Sequence, residues 1–251
     1  MTKLYLISTG PGDLDYLPPI AKKALNECDD IIGYGLYIDL LNELASKAQQ
    51  HNLPLGQETE RARLALNLSV QGKTTGLISS GDIGIYAMAT LVFELLEHEA
   101  KPEWQSIEIE VIPGISALQA LASKVGAPLA HDFCTISLSD LLTPWETIEK
   151  RIHAAGQGDF VISFYNPVSR KRRWQLEKAK QILLQYKPKN TPVIIGRNLT
   201  RDTENIQITT LAELDIEQVD MLTLVMVGNQ ETRIIKQGKH IYTPRGYRGK
   251  Q

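Results

Sequence analysis

Short apolar runs rich in β-branched residues alternate along this chain with stretches of helical periodicity, the pattern of parallel strands joined by crossover helices. A strand over residues 4–8 ends in the turn Thr9-Gly10-Pro11-Gly12, and a helix over residues 17–28 follows, with Pro18 and Pro19 tolerable only in its first turn. Strands at 30–34, 75–79 and 108–112, with helices near 58–71 and 85–98, complete one open α/β sheet. The segment Gly126-Ala127-Pro128-Leu129 interrupts the rhythm. Glycine and proline punctuate chains in this way, which predicts a first domain over residues 1–128 and a second over 129–251. In the second, strands at 134–138, 160–165, 193–196, 206–210 and 222–227 and helices at 145–155 and 171–186 predict another α/β domain, with mixed strand directions. No repeat, low-complexity tract or long linker is present, so the two domains are expected to pack closely around a cleft.

Composition narrows the function more than the fold. With 251 residues and 43% hydrophobic content the chain can bury a substantial core, which argues against disorder. A formal net charge of -2 gives no global attraction to nucleic acid or to an anionic membrane, so any anion must be recognised locally. Cys28 and Cys134 fit neither a metal-binding spacing nor a disulfide framework; they read as buried thiols, and no metal is expected. The N-terminal stretch lacks the apolar run and cleavage site of a secretion signal, and no segment approaches membrane-spanning length. A cytoplasmic protein without membrane partners is expected.

Candidate chemistry gathers at predicted strand ends, where open α/β sheets place ligands. Ser8-Thr9-Gly10-Pro11-Gly12-Asp13 lies between the first strand and the first helix, but it is neither a full G-x-G-x-x-G fingerprint nor a phosphate loop. It reads either as a ligand turn or as a plain tight turn. Ser79-Ser80-Gly81-Asp82-Ile83-Gly84-Ile85-Tyr86 puts an acid and two glycines at another strand end. Asp82 there either accepts hydrogen bonds from a ribose or an ammonium group, or caps the following helix. Val111-Ile112-Pro113-Gly114-Ile115-Ser116-Ala117 is a third such turn, with Ser116 a natural helix N-cap. In a parallel sheet the three turns converge on one crevice.

In the second half, Phe164-Tyr165-Asn166-Pro167 leads into Ser169-Arg170-Lys171-Arg172-Arg173 at a predicted helix start. Four adjacent cations at the positive end of a helix dipole are unfavourable unless an anion relieves them, although a charge run also reads as a solvated face. Gly196-Arg197-Asn198 and Thr243-Pro244-Arg245-Gly246-Tyr247-Arg248 add further basic turns. Guanidinium groups suit carboxylates through paired hydrogen bonds.

Together these stretches resemble the tetrapyrrole (corrin and porphyrin) methylase family over nearly the whole chain: STGPGD, DIIGYGLYIDLL, SSGDIGIYAMA, VIPGISALQALASKVGAPLAHDFCTISLSDLLTPW, FYNPVSRKR, GRN, LTLVMVGN and TPRGY. HDFCTISLSDLLTPW and FYNP resemble the branch that methylates precorrin-3B at C17. The resemblance implies two α/β domains of the tetrapyrrole methylase type with the active-site cleft between them, usually in a homodimer, unlike the Rossmann methyltransferases. It implies S-adenosylmethionine as methyl donor, S-adenosylhomocysteine as product, and a place in cobalamin synthesis. Matching positions put Pro11, Gly81, Asp82, Ile85, Tyr86, Ser116, Ala117, Tyr165, Asn166, Asn198 and Thr223 beside the donor, and make Gly10 and Gly12 part of the substrate trough. Ile83 and Gln230 depart from the family's usual residues, while Asp82 and the glycines are intact.

Methyl transfer from a sulfonium to an electron-rich macrocycle carbon is an in-line displacement in which positioning dominates. Holding donor and acceptor together supplies roughly 7–11 kcal/mol in the best intramolecular cases. No catalytic side chain is therefore assigned. Arg170, Arg172, Arg197 and Arg245 are the candidate contacts for substrate carboxylates. The ring contraction that the C17 branch implies would benefit from a general acid or base, for which Asp13, Asp82, His131 and Asp132 are available. The alternatives are methylation of a cobalt-containing counterpart or of another corrin position, and a non-catalytic tetrapyrrole- or nucleotide-binding protein. A Rossmann dehydrogenase is disfavoured, since no acid ends the 30–34 strand to read a ribose.

Overall fold

The computed structural model describes residues 2–45, 47–169 and 172–247. The chain divides into two compact units, Met1–Ala117 and Leu118–Gln251.

In the first unit β1 (Lys3–Ser8), β2 (Asp30–Gly33), β3 (Gln49–Asn52), β4 (Thr74–Ser79) and β5 (Glu108–Ile112) form one sheet in the order β3-β2-β4-β1-β5, every neighbour parallel. Parallel neighbours need crossovers, which α1 (Pro19–Glu27), α2 (Gly35–Leu41), α3 (Glu58–Ser69) and α4 (Met88–His98) supply. Side chains alternate across the sheet with the two-residue period of a strand. Leu4, Leu6, Ile32 and Leu77 pack with Ala62, Leu66, Val92 and Leu95 of α3 and α4. Tyr5, Ile7, Ile31 and Ile78 pack on the other face with Ala21, Leu25, Ile38 and Leu41 of α1 and α2. Burying a leucine or isoleucine fully is worth about 1.5–3 kcal/mol, so these two layers fix the register.

Local chemistry sets the helix ends. α1 starts with Pro18 at its N-cap and Pro19 just inside, where the missing N–H costs nothing. α4 begins at Met88 rather than at 85, because Tyr86 holds φ at +52°, outside the right-handed helical region. The hydrophobic pattern does not reveal α2 or β3. β3 is Gln-Gln-His-Asn, a polar strand at the sheet edge that pairs only with β2.

In the second unit α5 (Ala117–Val125) leads to β6 (Gly126–Ala127). Then come β7 (Phe133–Ser137), α6 (Trp145–Gln157), β8 (Val161–Tyr165), α7 (Trp174–Leu183), β9 (Pro192–Arg197), β10 (Asn205–Thr210) and β11 (Thr223–Val227). The main sheet runs β10-β9-β11-β8-β7 and is mixed: β7 and β8 are parallel, whereas the other neighbours are antiparallel. Ile136, Ile162, Phe164, Val193, Ile195 and Val225 pack on one face with Ile148, Ile152, Leu176 and Ile182 of α6 and α7. On the other face Leu121 of α5 lies 2.5 Å from where a Cβ on Gly196 would stand, so a side chain there would have to displace that leucine.

A small third sheet, β12 (Arg233–Ile235), β13 (His240–Tyr242) and β6, ends the chain's regular structure. It explains where the Gly126-Ala127-Pro128 break goes. Gly126 and Ala127 pair with Ile241 and Tyr242, and Thr243 donates its hydroxyl to the Pro128 carbonyl at 2.7 Å. The break at 128 thus lies inside the second unit. Among the described residues no helix is long and apolar enough to cross a membrane.

Candidate active site

In the first unit β1 lies between β4 and β5, so the turns that leave these three strands are neighbours. The connection from β1 runs to α1 on one face and that from β4 to α4 on the other. This is the switch point at which a parallel sheet opens a crevice.

The three turns are knitted together there. The Gly10 N–H donates to the Gly81 carbonyl at 3.1 Å and the Gly81 N–H returns to the Gly10 carbonyl at 2.7 Å. Buried Ser8 accepts from the Ile83 N–H at 2.8 Å. Asp82 accepts from the Gly84 N–H through one oxygen at 2.8 Å and from the Gly114 N–H through the other at 3.0 Å. The carboxylate is therefore a clamp between two turns. It does not cap α4, whose N-cap is Ala87, although each oxygen keeps a lone pair for a further donor. Gly114 has no room for a side chain: a Cβ would stand 2.4 Å from the Ser8 Cβ and 2.5 Å from the Gly81 carbonyl oxygen.

Of the other expected positions, Gly10, Pro11 and Gly12 are buried in the first turn, and Ser116 is buried immediately before α5, whose first residue is Ala117. A Cβ on Gly10 would stand 2.8 Å from the Tyr16 carbonyl oxygen, so Gly10 is required by packing. Gly81, at φ +70°, faces open space, with only the Ser116 Cα at 3.9 Å from a Cβ position. Ile85 is half-buried and Tyr86 is 49% exposed beside it.

The second sheet has its own gathering edge. β7, β8 and β9 run one way and β11 the other, so the ends of the first three and the start of β11 lie on one side. Tyr165, Asn166, Asn198 and Thr223 all fall on it. Asn166 and Asn198 hold φ at +49° and +50°, a region asparagine tolerates better than most residues. The Asn166 amide donates to the Ser137 hydroxyl at 3.1 Å, and the Asn198 amide to Thr203 at 2.9 Å. The Asn198 Oδ1 is buried without a hydrogen-bond partner among the described residues. The Tyr165 hydroxyl accepts from the Leu118 N–H at 3.1 Å, and Thr223 donates to Asp220 at 2.7 Å.

The arginines separate into different roles. Arg197, at the end of β9 on the same edge, is 46% exposed and only 3.9 Å from Asp220, so its guanidinium is loosely held. Arg245 is exposed and lines a cavity of about 620 Å³ with His131, Arg233 and Tyr247. Arg172, expected to meet a substrate carboxylate, makes internal contacts. α7 begins at Trp174, and Arg172 folds back ahead of it to donate to the Leu138 carbonyl at 2.6 Å and approach Asp140 at 3.6 Å. Its charge is thus met inside the protein, as is that of Arg173, which donates to the Ile216 carbonyl at 2.5 Å. Arg173 stands at the N-cap of α7, and the two described arginines of the basic run both donate to backbone carbonyls. Arg170, like Lys171 and Arg248, lies outside the described residues.

Among the acid–base candidates, Asp13 accepts from the Asp15 N–H at 2.8 Å and His131 accepts through Nδ1 from the Asp132 N–H at 2.8 Å, both local turn contacts. Burial pushes the Cys28 thiol up to about 12, with Asp29, Glu27 and Asp30 adding to it, and the Cys134 thiol up to about 11. Neither is a nucleophile at neutral pH. The Asp82–Gly114 bond and the Arg172–Leu138 bond escape sequence reading because their partners lie 32 and 34 residues apart.

The profile of the tetrapyrrole (corrin/porphyrin) methylases matches residues 3–215, which include every turn described above except that around Thr223 and the C-terminal hairpin. The chain belongs to the tetrapyrrole methylase family. Relatives agree along the whole chain. It is 40% identical to a precorrin-3B C(17)-methyltransferase of Sinorhizobium sp, with 98% of this chain and 97% of that protein aligned. It is 45% identical to a cobalt-factor III methyltransferase of Priestia megaterium over 99% of this chain, which spans 46% of that longer protein. Among solved structures, the methyltransferase CobJ superposes with a TM-score of 0.90 at 38% identity, covering 96% of this chain and 99% of its own.

Proposed function

We propose that this chain transfers a methyl group from S-adenosylmethionine to C17 of precorrin-3B, with contraction of the macrocycle, as a step in cobalamin synthesis. The observation that carries the reading is the end-to-end correspondence, in sequence and in fold, with a precorrin-3B C(17)-methyltransferase and with CobJ. The residues present fit the donor. Gly81 leaves open space at the switch point, and Asn198 offers an acceptor with no partner among the described residues, as a ligand carrying hydroxyl and ammonium groups requires. Gly81, Asp82, Ile85, Tyr86, Ser116 and Ala117 from the first unit and Tyr165, Asn166, Asn198 and Thr223 from the second would hold it.

When bound, S-adenosylmethionine supplies an electrophilic methyl group on a sulfonium. The chain's own part is orientation. The Asp82 clamp and the Gly10–Gly81 pairing fix backbone positions that would otherwise cost entropy to order, and preorganisation of this kind is where positioning catalysis gains its rate. Arg197, loosely paired and on the ligand edge, is assigned to a carboxylate arm of the macrocycle, with Arg170 and Arg245 as further candidates. The same reading expects a homodimer in the cytoplasm, checked by light scattering of the purified protein.

The 45% identity to a cobalt-factor III methyltransferase favours a second substrate, the cobalt-containing counterpart. Incubation with each tetrapyrrole and S-adenosylmethionine, followed by mass spectrometry, separates the two. The proposed function expects the mass gain of one methyl group on precorrin-3B. A gain only on cobalt-factor III moves the assignment to that substrate, and no gain on either overturns it.

A further inference from the structure

Between β7 and α6 the chain carries Leu141 and Leu142 with 82% and 98% of their surface exposed, more than any other large apolar side chain among the described residues. The loop beneath them is firmly braced. At its root Leu138 is fully buried and its N–H donates to the Tyr165 carbonyl at 2.9 Å. The Arg172 guanidinium donates to the Leu138 carbonyl at 2.6 Å and, through the same nitrogen, to the Asn166 carbonyl at 3.3 Å. One residue before the leucines, Asp140 accepts from the Gln175 amide at 2.9 Å. Gln175 is 1% exposed. Beyond them Pro144 starts α6, and Trp145 stacks edge to face on Trp174 with ring centroids 4.7 Å apart.

Buried Gln175 and the half-buried Arg172 therefore hold a backbone whose tip leaves two leucines almost wholly exposed. The bracing arginine also clips the loop root to the Tyr165-Asn166 turn, which puts the leucines beside the ligand edge of the second sheet. We propose that Leu141 and Leu142 form an apolar pad on which the flat face of the tetrapyrrole rests, orienting the macrocycle toward the donor. This rests on the methylase reading above. A reduced tetrapyrrole joins an apolar ring to a fringe of carboxylates, and while arginines suit the fringe, the ring face needs apolar surface. A braced backbone with two branched side chains loses little freedom when it is covered, so the contact is retained as affinity.

The test compares the wild-type chain with a Leu141→Ser/Leu142→Ser double variant and a Leu141→Met/Leu142→Met control. The readouts are the tetrapyrrole Kd from quenching of tryptophan fluorescence by precorrin-3B and by cobalt-factor III, KM for methyl transfer, the Kd for S-adenosylmethionine, the mass in solution and the melting temperature. The serine variant is expected to weaken tetrapyrrole Kd and KM by about tenfold or more, equivalent to about 1.4 kcal/mol. Donor affinity, mass and melting temperature should hold, and the methionine control should stay near wild type. A tetrapyrrole Kd within about twofold of wild type overturns the proposal. So does a fall in mass, which would make a second copy the occupant, or a drop in melting temperature, which would make the leucines part of the fold. A wild-type chain that neither quenches nor methylates removes the methylase reading itself, before any variant is compared.

Discussion

Replacing Asp82 with asparagine tests whether this acid is a clamp or a ligand group. The carboxylate accepts two backbone N–H groups, from Gly84 at 2.8 Å and Gly114 at 3.0 Å. An asparagine keeps one acceptor oxygen and turns an NH2 toward the other N–H, so one charge-assisted bond disappears and a donor faces a donor. Hydrogen bonds to charged groups are worth about 1.5–3 kcal/mol, and Asp82 is half-buried, which places the cost near the lower figure. For a chain of this size that corresponds to a fall in melting temperature of roughly 3–6 °C. Because the clamp joins the SGD turn to the Gly114 turn, donor binding should weaken in parallel by about tenfold. Differential scanning fluorimetry and calorimetric titration with S-adenosylmethionine read both quantities. A melting temperature unmoved while donor affinity collapses would show Asp82 acting on the ligand directly and would refute the clamp.

Gly114→Ala should be as damaging by a different route. Its Cβ would sit 2.4 Å from the Ser8 Cβ, and overpacking of this kind costs about 1–3 kcal/mol, read as a lower urea midpoint with unchanged slope. Arg172→Ala should destabilise the second unit by about 1–3 kcal/mol, since it leaves the Leu138 and Asn166 carbonyls without that donor; a change confined to substrate KM would return Arg172 to a binding role. Burial alone would raise the Asp30 carboxyl, but Lys73 at 2.8 Å and His51 at 2.6 Å outweigh it and hold the group below its ordinary value. A depressed folded value means that its stabilisation is complete above about pH 4 and lost as pH falls below, so Asp30→Asn should flatten the acid limb of stability against pH. Neither Cys28 nor Cys134 should react with a thiol reagent at neutral pH in the folded protein, whereas both should react once it is unfolded.

The parts of this molecule legible in its sequence are those governed by short-range pattern. Leu4, Leu6 and Ile7 announce β1 because a buried parallel strand must be apolar on both faces. Glycine turns at the ends of β1, β4 and β5 announce the switch point for the same local reason. β3 stays hidden because Gln49–Asn52 is held by pairing to β2 rather than by its own side chains. The role of Asp82 stays hidden because helix caps and ligand acids look alike until Gly114 arrives from the next crossover. The internal contacts of Arg172 are the hardest to foresee. Its neighbours in sequence are charged and suggest a solvated or anion-binding run, but its partners are carbonyls at Leu138 and Asn166 that only folding brings near.

The most direct test supplies purified protein with isotope-labelled S-adenosylmethionine and precorrin-3B and locates the label in the product by NMR. Label on a methyl at C17 of a contracted macrocycle is the predicted result. Label at another carbon, or none transferred while the donor stays intact, would contradict the assignment.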